Sequence, residues 1–475
     1  MKTIEIKNYI NGKFIATDNF NINDNAINDF DGCKAKIYFC NDWDLTAAIE
    51  TATLIQPKLR LVSSNMLADL LSRTMDYYFD NNEDYVFLSE MTGSPYRFLR
   101  YAINGTKEWV KDFKNFYTNT FRSVVSSYIF SSNPTFAILP SNAEQIALFV
   151  IAQSIMAKSS IIIRSSSRNA GSFTSMKFVE AWNKVIDELN PDLHFLKKIV
   201  NIVNYKNIDD LWQHVSISDW NYICFGSRHT IHNVIASINQ YATPRKFIDY
   251  GYGFSNSIVD SSALLNLDHK NKEVMLNEIT QKVLISATEN TGNQCTASDV
   301  VYVHKDVYDI VFRSLKQNSV KYKSLDPKHP ESIGIVSPNN VKYIEQALTE
   351  LNKREHLNIG SDANGKKIIH ASIIPLSRYE YASEYPGPIL FVKSYDSESD
   401  LLQQMTKELE INDVLKYLSS SVFSSKSFFN TIAPKLRTYK LKYDKPSHEV
   451  NLYYYHQGKN LLDELTELTI IEEKY

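Results

Sequence analysis

The chain has 475 residues, of which 43% are hydrophobic and 22% are charged. This length and composition predict a globular protein with two or three domains and a large core. A net charge of −3, with acidic and basic residues interspersed, argues against a nucleic-acid partner or a charged tail.

The sequence contains no pattern typical of a membrane protein, a disulfide framework or a metal site. The longest apolar run, residues 146–157, is interrupted by Gln153 and Ser154 and is too short to span a bilayer. No apolar signal core follows the first residues, and no Cys or His spacing indicates a metal site. The cysteines are irregularly spaced and are interpreted as free thiols, so we expect a cytoplasmic protein. They are Cys33, Cys40, Cys224 and Cys295.

The N-terminal part is predicted to be mainly helical. Residues 5–16 have the pattern of a hairpin, with the Asn-Gly pair at 11–12 as its turn. Residues 43–115 repeat apolar side chains at helical spacing, and a Gly-Ser-Pro sequence at 93–95 interrupts that pattern. Residues 117–133 are rich in Ser, Thr, Tyr and Val, which favours a β excursion.

From residue 135 to residue 260, short apolar segments alternate with segments of helical pattern. Such alternation predicts a parallel sheet covered by helices on both faces, with ligands bound beyond the carboxyl ends of its strands. The predicted strands are 135–139, 160–164, 198–203, 222–225, 246–250 and 257–259. The predicted helices are 142–157 with Ser141 as N-cap, 173–189, 208–215 and 230–241.

A second series of strands and helices runs from about 262 to 425, and the tail combines a strand-like stretch at 453–455 with a final acidic helix. The clearest strands of this series are 300–304, 389–393 and 419–423. We therefore predict an α/β protein in three parts. They are a cofactor-binding domain at 1–258 that includes the β excursion, a catalytic domain at 259–425, and a return segment with an oligomerisation tail at 426–475.

Cys295 is the best candidate for a catalytic nucleophile. It follows a glycine-containing turn at 290–294 and precedes a β-branched strand at 300–303. A thiol between a turn and a strand can be held on a rigid, exposed edge, where its thiolate can attack an electrophilic carbon. One thiol in a loop is weak evidence, so the hypothesis depends on the other segments.

Three segments at predicted strand ends could serve such a nucleophile. Asn142 could donate its amide to a carbonyl oxygen that gains negative charge, or it could simply cap the following helix. Arg164 and the Ser-Ser-Ser-Arg sequence at 165–168 suit a ribose or a phosphate, or form a solvated loop. Gly226 and Ser227 would allow a diphosphate to approach a helix N-terminus closely.

Together these residues resemble the motifs of the aldehyde dehydrogenase superfamily over roughly residues 6–430. Asn290, Gly292 and Cys295 are similar to its nucleophile motif. Six further segments follow in the order of the family. Residues 90–95 resemble its Glu-x-Gly-Lys-Pro segment, residues 140–142 resemble its Pro-Trp-Asn segment, and residues 164–166 resemble its Lys-Pro-Ser segment. Residues 225–227 resemble its Thr-Gly-Ser segment, residues 384–388 resemble its Glu-x-Phe-Gly-Pro segment, and residues 418–423 resemble its Leu-Ser-Ala-Ser-Val-Phe segment.

The resemblance implies an aldehyde-dehydrogenase-like α/β fold. Its parts are a Rossmann-type parallel-sheet cofactor domain, a second α/β catalytic domain and a small β oligomerisation element, through which residues 117–133 and 436–460 would form a homo-oligomer. It also implies that Cys295 is the nucleophile and that Asn142 stabilises the oxyanion. The residues that it implies for cofactor binding are Arg164, Ser166, Ser167, Arg168, Gly226, Ser227 and Glu384, with Glu384 on the nicotinamide ribose.

The segment that should carry the hydrolytic glutamate of the family departs from its pattern. It reads Asp-Tyr-Gly-Tyr-Gly at 249–253, and Asp249 is one methylene shorter than a glutamate, which is enough to misplace a general base. The Gly-Tyr-Gly at 251–253 lacks a third glycine and an opening helix, so it is interpreted as a turn. Residues 223–231, 164–166 and 250–260 resemble instead the long-chain acyl-CoA reductases of bacterial luminescence, which reduce acyl thioesters with NADPH.

Thioester reduction needs no base that activates water. The departure therefore favours NAD(P)H-dependent reduction of an acyl thioester, either acyl-CoA or an acyl group on a carrier protein, to an aldehyde. The alternatives are NAD(P)-dependent oxidation of an aldehyde to a carboxylic acid, with Asp249 or Glu289 as base, and a catalytically inactive binding protein. Ser167 stands where NAD-selective members often carry a Glu, and with Arg168 it would tolerate a 2′-phosphate unless Arg168 points to solvent. NADP(H) is therefore favoured over NAD(H).

Overall fold

The computed structural model divides the chain into two compact units. It describes residues 3–23, 33–113, 115, 127–140, 143–165, 170–206, 208–251, 253–265, 267–361, 365–448 and 461–471. The first unit comprises Met1–Thr92, Leu99–Gly251 and Leu452–Tyr475, and the second comprises Gly93–Phe98 and Tyr252–Asn451. The sequence predicts a first domain boundary after residue 258, and this boundary stays a prediction.

The first unit contains most of the helices at the start of the chain and the first series of alternating elements. Its strands are β1 (Thr3–Ile6), β2 (Asn8–Ile10), β3 (Lys13–Ile15), β4 (Phe20–Asn23), β5 (Lys34–Tyr38), β6 (Ser127–Ser131), β7 (Thr135–Ile138), β8 (Ile161–Arg164), β9 (Val200–Ile202), β10 (Asn221–Gly226), β11 (Lys246–Gly251) and, from the tail, β20 (Glu467–Ile471). Its helices are α1 (Asp42–Arg60), α2 (Ser64–Tyr77), α3 (Asn82–Thr92), α4 (Tyr96–Lys111, whose first turn belongs to the second unit), α5 (Gln145–Met156), α6 (Phe173–Asp187), α7 (Ile208–Val215), α8 (Arg228–Asn239) and α14 (Leu461–Leu465).

Local sequence signals account for several of these elements. The predicted hairpin is confirmed as β2 and β3, because Asn11 and Gly12 adopt the positive φ angles of 52° and 80° that a type I′ turn requires. Helix α1 begins at a capping box, in which Asn41 accepts from the Asp44 N–H and Asp44 accepts from the Asn41 N–H.

The main sheet of the first unit has the order β11-β10-β7-β8-β9-β2-β3, and its first five strands are parallel. From β7 the chain proceeds to β8 and β9 on one side and then returns to place β10 on the other side of β7. Such a reversal is a topological switch point, and it opens a crevice at the carboxyl ends of the two strands that flank it. The predicted parallel sheet is thus confirmed for this unit.

The second unit is built on a parallel sheet of six strands, in the order β16-β17-β13-β12-β18-β19. Its strands are β12 (Asn256–Val259), β13 (Val300–His304), β14 (Ile359–Ser361), β15 (Lys367–Ile369), β16 (Ser372–Pro375), β17 (Ile389–Tyr395), β18 (Tyr417–Phe423) and β19 (Thr438–Tyr443), of which β14 and β15 form a separate antiparallel pair. Its helices are α9 (His269–Thr288), α10 (Lys305–Ser319), α11 (Pro338–Glu350), α12 (Glu398–Ile411) and α13 (Lys426–Ile432).

Both faces of this second sheet are buried. In β13, Val300 and Tyr302 belong to the apolar core on one face, whereas Val301 and Val303 belong to the core on the other face. Burial on both faces explains why the strand is a continuous apolar run instead of an alternating one.

Two expectations for the ends of elements were wrong. Helix α5 begins at Gln145 with Glu144 at its N-cap position, so the predicted start at 142 is wrong. The predicted N-cap, Ser141, lies outside the described residues. The final acidic helix is limited to the five residues of α14, and the following residues form β20, which pairs antiparallel with β6 of the predicted β excursion. The strand-like stretch at 453–455 lies outside the described residues. No helix in the described ranges is long and apolar enough to cross a membrane.

Candidate active site

The candidate site of the second unit lies at the amino edge of its parallel sheet. The register aligns Phe391, Val300, Asn256, Ser420 and Leu441 in one row across β17, β13, β12, β18 and β19. The residues just before this row therefore collect at one edge, and they include Glu384, Cys295, Gly253, Ser419 and Lys440. The rule that ligands bind at carboxyl ends suits the first sheet, but here the candidate nucleophile precedes its strand.

A strained turn carries the chain from α9 to Cys295. Asn290, Thr291 and Gly292 have consecutive positive φ angles of 51°, 61° and 70°. Such an angle is rare for a β-branched residue and stores strain, which the surrounding packing must hold in place. The Thr291 N–H donates to the Ile333 carbonyl over 2.7 Å. Cys295 emerges from this turn partly exposed.

Two segments pack against this turn so closely that only glycine fits. A Cβ on Gly292 would lie 2.4 Å from the Gly387 carbonyl oxygen, and one on Gly334 would lie 2.6 Å from Thr291 Cγ2 and 2.5 Å from the Gly93 carbonyl oxygen. The segments that resemble family motifs near 93 and 384–388 are therefore packed around the turn.

Gly253 is a site residue that sequence analysis interpreted only as part of a turn. A Cβ at this position would lie 2.3 Å from Cys295 Cα and 2.5 Å from Cys295 Cβ. The Gly253 N–H also donates to the Glu384 carboxylate. One glycine thus joins the two predicted residues, and the signal for it was a Gly-x-Gly just before a strand.

A hydrogen-bond network fixes the backbone of Cys295. Ser255 donates from its hydroxyl to the Cys295 carbonyl over 3.3 Å and from its N–H to Asp299 Oδ2 over 2.9 Å. The Ser419 N–H donates to Ser255 Oγ over 3.2 Å. Because β12, β13 and β18 all contribute, the main chain that carries the thiol is held by three strands.

The charges around Cys295 favour its thiol form. The pKa of Cys295 is raised to about 11, chiefly by burial and then by the charge of Glu384, whereas Lys440 and the N–H groups of Cys295 and Thr296 lower it. Burial raises the pKa of Glu384 to about 7 against the lowering effect of the Gly253 N–H. A thiol of this kind is a poor nucleophile at rest, so reaction requires a compensating positive charge or a change on ligand binding.

The other acids near the site do not all act on the thiol. Burial and Glu384 hold the pKa of Asp299 well above its usual range. Burial also raises the pKa of Glu289, while Arg97 lowers it, and Glu289 is not among the groups that shift the pKa of Cys295. Neither Asp299 nor Lys440 lies in a recognisable sequence motif, so neither was predicted to be a site residue.

Apart from Glu384, which belongs to the second unit, the predicted cofactor residues that can be described lie in the first unit. Arg164 ends β8 and Gly226 ends β10, at the carboxyl edge on either side of β7. A Cβ on Gly226 would lie 3.0 Å from Thr230 Cγ2, and Ser227 is an exposed N-cap of α8. Arg164 Nε is buried and has no hydrogen-bond partner among the described residues. An exposed helix N-terminus and a guanidinium whose Nε has no partner among the described residues lie on one edge, and together they fit a dinucleotide phosphate.

The remaining predicted residues are less informative. Asp249 is half-buried in β11 opposite Cys224, and its charge adds to the burial that raises the pKa of Cys224 to about 12. Four predicted site residues lie outside the described residues: Asn142, Ser166, Ser167 and Arg168. Within the described ranges, no group of three or more His, Cys, Asp or Glu side chains could hold a metal ion.

Comparison with known proteins identifies one family and many similar folds. A family model described as the aldehyde dehydrogenase family matches residues 27–446, and no curated protein in the comparison matches the chain. A salicylaldehyde dehydrogenase from Pseudomonas putida G7 is 15% identical, with a TM-score of 0.79 and 99% of each chain covered. An NAD-dependent benzaldehyde dehydrogenase from Corynebacterium glutamicum is 14% identical, with a TM-score of 0.76 over 98% of this chain and 97% of the other. An NADP-dependent enzyme from E. coli is 13% identical, with a TM-score of 0.77 and 98% of each chain covered. These likenesses confirm the predicted fold class.

Proposed function

The chain belongs to the aldehyde dehydrogenase family and so to the NAD(P)-dependent oxidoreductases, and from this premise we propose that it reduces an acyl thioester to an aldehyde. Cys295 is the proposed nucleophile. The proposed substrate is an acyl group on CoA or on a carrier protein, and the proposed cofactor is NADPH, with NADH as the alternative.

The observation that supports reduction over oxidation is the packing of Gly253 on Cys295. The segment before β12 is where the family carries the glutamate that activates water, but here Gly253 leaves no room for a side chain of its own against Cys295. Asp249, the acid of this segment, lies in β11 of the first unit. Reduction of a thioester needs no activated water, whereas oxidation of an aldehyde to an acid does.

In the proposed reaction the Cys295 thiolate attacks the thioester carbonyl carbon. The carbon–sulfur bond to the carrier breaks, the carrier thiol leaves with one proton, and an acyl group remains on Cys295. A reduced nicotinamide, bound by Arg164, Gly226, Ser227 and Glu384, would supply hydride. Cys295 is then the leaving group when the aldehyde is released.

Stabilisation of the oxyanion is assigned to Asn142 and to the Cys295 N–H. Loss of one such donor costs about 3–4 kcal/mol of transition-state stabilisation in comparable enzymes. We therefore expect Asn142→Ala to lower kcat about a hundredfold or more while the protein remains folded. A kcat within about threefold of the native value would remove Asn142 from the mechanism.

The test mixes the protein with NADPH and acyl-CoA esters of several chain lengths and follows the loss of reduced nicotinamide by absorbance, with the aldehyde trapped by a hydrazine. We expect stoichiometric aldehyde, and none with Cys295→Ala. Formation of free acid and NADPH from an aldehyde, with no reaction of the thioester, would instead establish oxidation. Absence of both reactions would favour an inactive binding protein.

Aldehyde oxidation is kept as a second candidate because of Glu384. Its carboxyl lies beside Cys295, and with a pKa raised to about 7 it could accept a proton from water near neutral pH. Glu384→Gln separates the two: loss of a general base lowers kcat for acid formation, whereas loss of a ribose contact raises KM for NADPH in reduction.

The preference for NADPH rests on Ser167 and Arg168, because a 2′-phosphate is repelled by a carboxylate and attracted by a guanidinium. Ser167→Glu is expected to raise KM for NADPH at least about tenfold, a difference of about 1.4 kcal/mol, and to leave KM for NADH unchanged. Equal effects on the two nucleotides would contradict this assignment.

A further inference from the structure

Lys440 is a buried cation for which the reaction above assigns no role. Its Nζ is buried and has no hydrogen-bond partner in the described part of the chain. It lies on β19 opposite Ser419 in the strand register. An ammonium removed from water without a partner is costly, so its retention indicates an anion nearby in the working state.

The strand register and two hydrogen bonds connect Lys440 to the backbone of Cys295. Ser419, the register partner of Lys440, donates its N–H to Ser255 Oγ, and Ser255 Oγ donates to the Cys295 carbonyl. The connection from Lys440 in β19 to the backbone of Cys295 therefore passes through only two residues, Ser419 and Ser255.

Lys442 shows that the same face of β19 is packed against the segment around the nucleophile. It lies two residues after Lys440, so both side chains leave the strand on one face. Lys442 Nζ donates to the Ser447 carbonyl over 2.5 Å and to the Pro446 carbonyl over 3.0 Å. Ser447 in turn donates its hydroxyl to the Thr296 carbonyl over 3.0 Å. Lys442 thus has carbonyl partners, whereas the Lys440 ammonium has none within the described ranges.

Among the residues that the structure describes, the other titratable groups around Cys295 do not provide a compensating charge. Glu384 and Asp299 are acids, and α9 ends just before the nucleophile turn, so its C-terminus adds negative potential. Burial lowers the pKa of His448 to about 4, with a further contribution from Lys442, so His448 is neutral at physiological pH. The charge of Lys440 lowers the pKa of Cys295. Burial lowers the pKa of Lys440, and the charge of Cys295 raises it.

We propose that Lys440 is a positioning residue that holds the counter-charge for the Cys295 thiolate and so increases the fraction of the thiol that is ionised at a given pH. The inference rests on Cys295 being the nucleophile of the proposed function. It does not depend on the substrate, because the ammonium stabilises the sulfur anion before any substrate binds and again when Cys295 leaves the acyl group.

The test measures the alkylation rate of Cys295 by iodoacetamide from about pH 6 to about pH 10, by peptide mass spectrometry of the full-length protein. Iodoacetamide is uncharged, so the rate reports the thiolate fraction and not attraction of the reagent. In Lys440→Met we expect alkylation at pH 8 to be about tenfold slower and the pH profile to move up by about one unit. Lys440→Arg is expected to alkylate within about threefold of the native rate, because it keeps the charge.

The matched control is Lys442→Met, which removes a cation from the same face of the same strand and should leave the pH profile of Cys295 unchanged. Lys440→Met is expected to fold, because it replaces an unpartnered buried charge with an apolar side chain of similar length. A folded Lys440→Met with the native pH profile would overturn the proposal, and so would an equal shift in Lys442→Met. If the shift is found but acyl thioesters are not reduced, the proposed function fails and the role of Lys440 stands.

Discussion

Single residues decide whether the Cys295 thiol is accessible and charged. Gly253 permits backbone contact with the nucleophile and donates to Glu384. Glu384 opposes ionisation of the thiol, and Lys440 favours it. The reactivity of the site therefore depends on the balance of one acid and one base, and a change of either residue should move it in a known direction.

Gly253→Ala is expected to reduce activity and to destabilise the protein by about 1–3 kcal/mol or more, because the added methyl would overlap the backbone of Cys295. Gly105→Ala is the matched control. Gly105 lies within α4 with nothing within 4 Å of an added Cβ, so this change should stabilise by about 0.5–1 kcal/mol. Urea unfolding of both variants tests the prediction, and equal free energies of unfolding would contradict it.

Glu384→Gln should make Cys295 more reactive toward iodoacetamide at pH 8, about threefold or more, because it removes the negative charge that raises the pKa of the thiol. The pKa of Glu384 is raised to about 7, so its carboxyl is mostly protonated below that pH. The difference between variant and native protein should therefore appear above about pH 7 and vanish below it. Glu380→Gln, in the same segment but paired with Lys353, should show no change.

At the scale of elements, a buried polar cluster supports the segment that carries Glu384. Lys393 of β17 and Glu408 of α12 are both 0% exposed and form an ion pair at 3.2 Å. Lys393 donates to the Glu380 carbonyl over 2.7 Å, and Glu408 accepts from the Ala382 N–H over 2.8 Å. Tyr302 donates to Glu408 as well. The pair thus ties a strand and a helix to the residues that lead to Glu384.

Lys393→Met is expected to destabilise the protein by about 3–5 kcal/mol, because it leaves the Glu408 carboxylate buried without its counter-charge. Burial raises the pKa of Glu408 to about 8, so the carboxyl is mostly protonated below that pH and the full loss should be seen only above it. Adding Glu408→Gln should therefore recover part of the loss. A double-mutant cycle by chemical unfolding measures the coupling, and strictly additive effects would show that the two residues do not interact.

At the scale of the whole molecule, the tail contributes to the first unit in two separate ways. Leu461, Leu462 and Leu465 of α14 are buried, and Lys246 donates to the Glu464 carbonyl over 2.6 Å. The following strand β20 pairs only with β6 in the described part of the chain. A two-stranded sheet keeps open edges that a second copy could extend, so we propose that it forms the homo-oligomer contact.

Two truncations separate these roles. Removal of residues 467–475 deletes β20 alone and is expected to shift the protein to a smaller species in light scattering with little change in Tm. Removal of residues 461–475 also deletes three buried leucines, each worth about 1.5–3 kcal/mol, so it should lower Tm strongly. An unchanged molar mass in the shorter deletion would refute the assembly proposal.

The sequence alone determined the alternation of strands and helices, the hairpin at 11–12, the family resemblance and the choice of Cys295 and Glu384. Each of these depends on local periodicity, turn chemistry or a motif whose residues are close together in the chain. The start of α5 and the structure of the tail were predicted incorrectly. The tail could not be predicted locally, because β20 is defined by its partner β6, more than three hundred residues earlier.

Only the tertiary structure decided how the nucleophile is surrounded. Asp299 and Lys440 carry no local signal of function, yet parallel pairing of β17, β13, β12, β18 and β19 brings their segments to one edge. The ionisation of a thiol depends on charges and burial within a few ångströms, and those neighbours come from strands that are far apart in the chain. For this reason the sequence could propose Cys295 as the reacting sulfur, but only the folded sheet could show which lysine lies on a neighbouring strand.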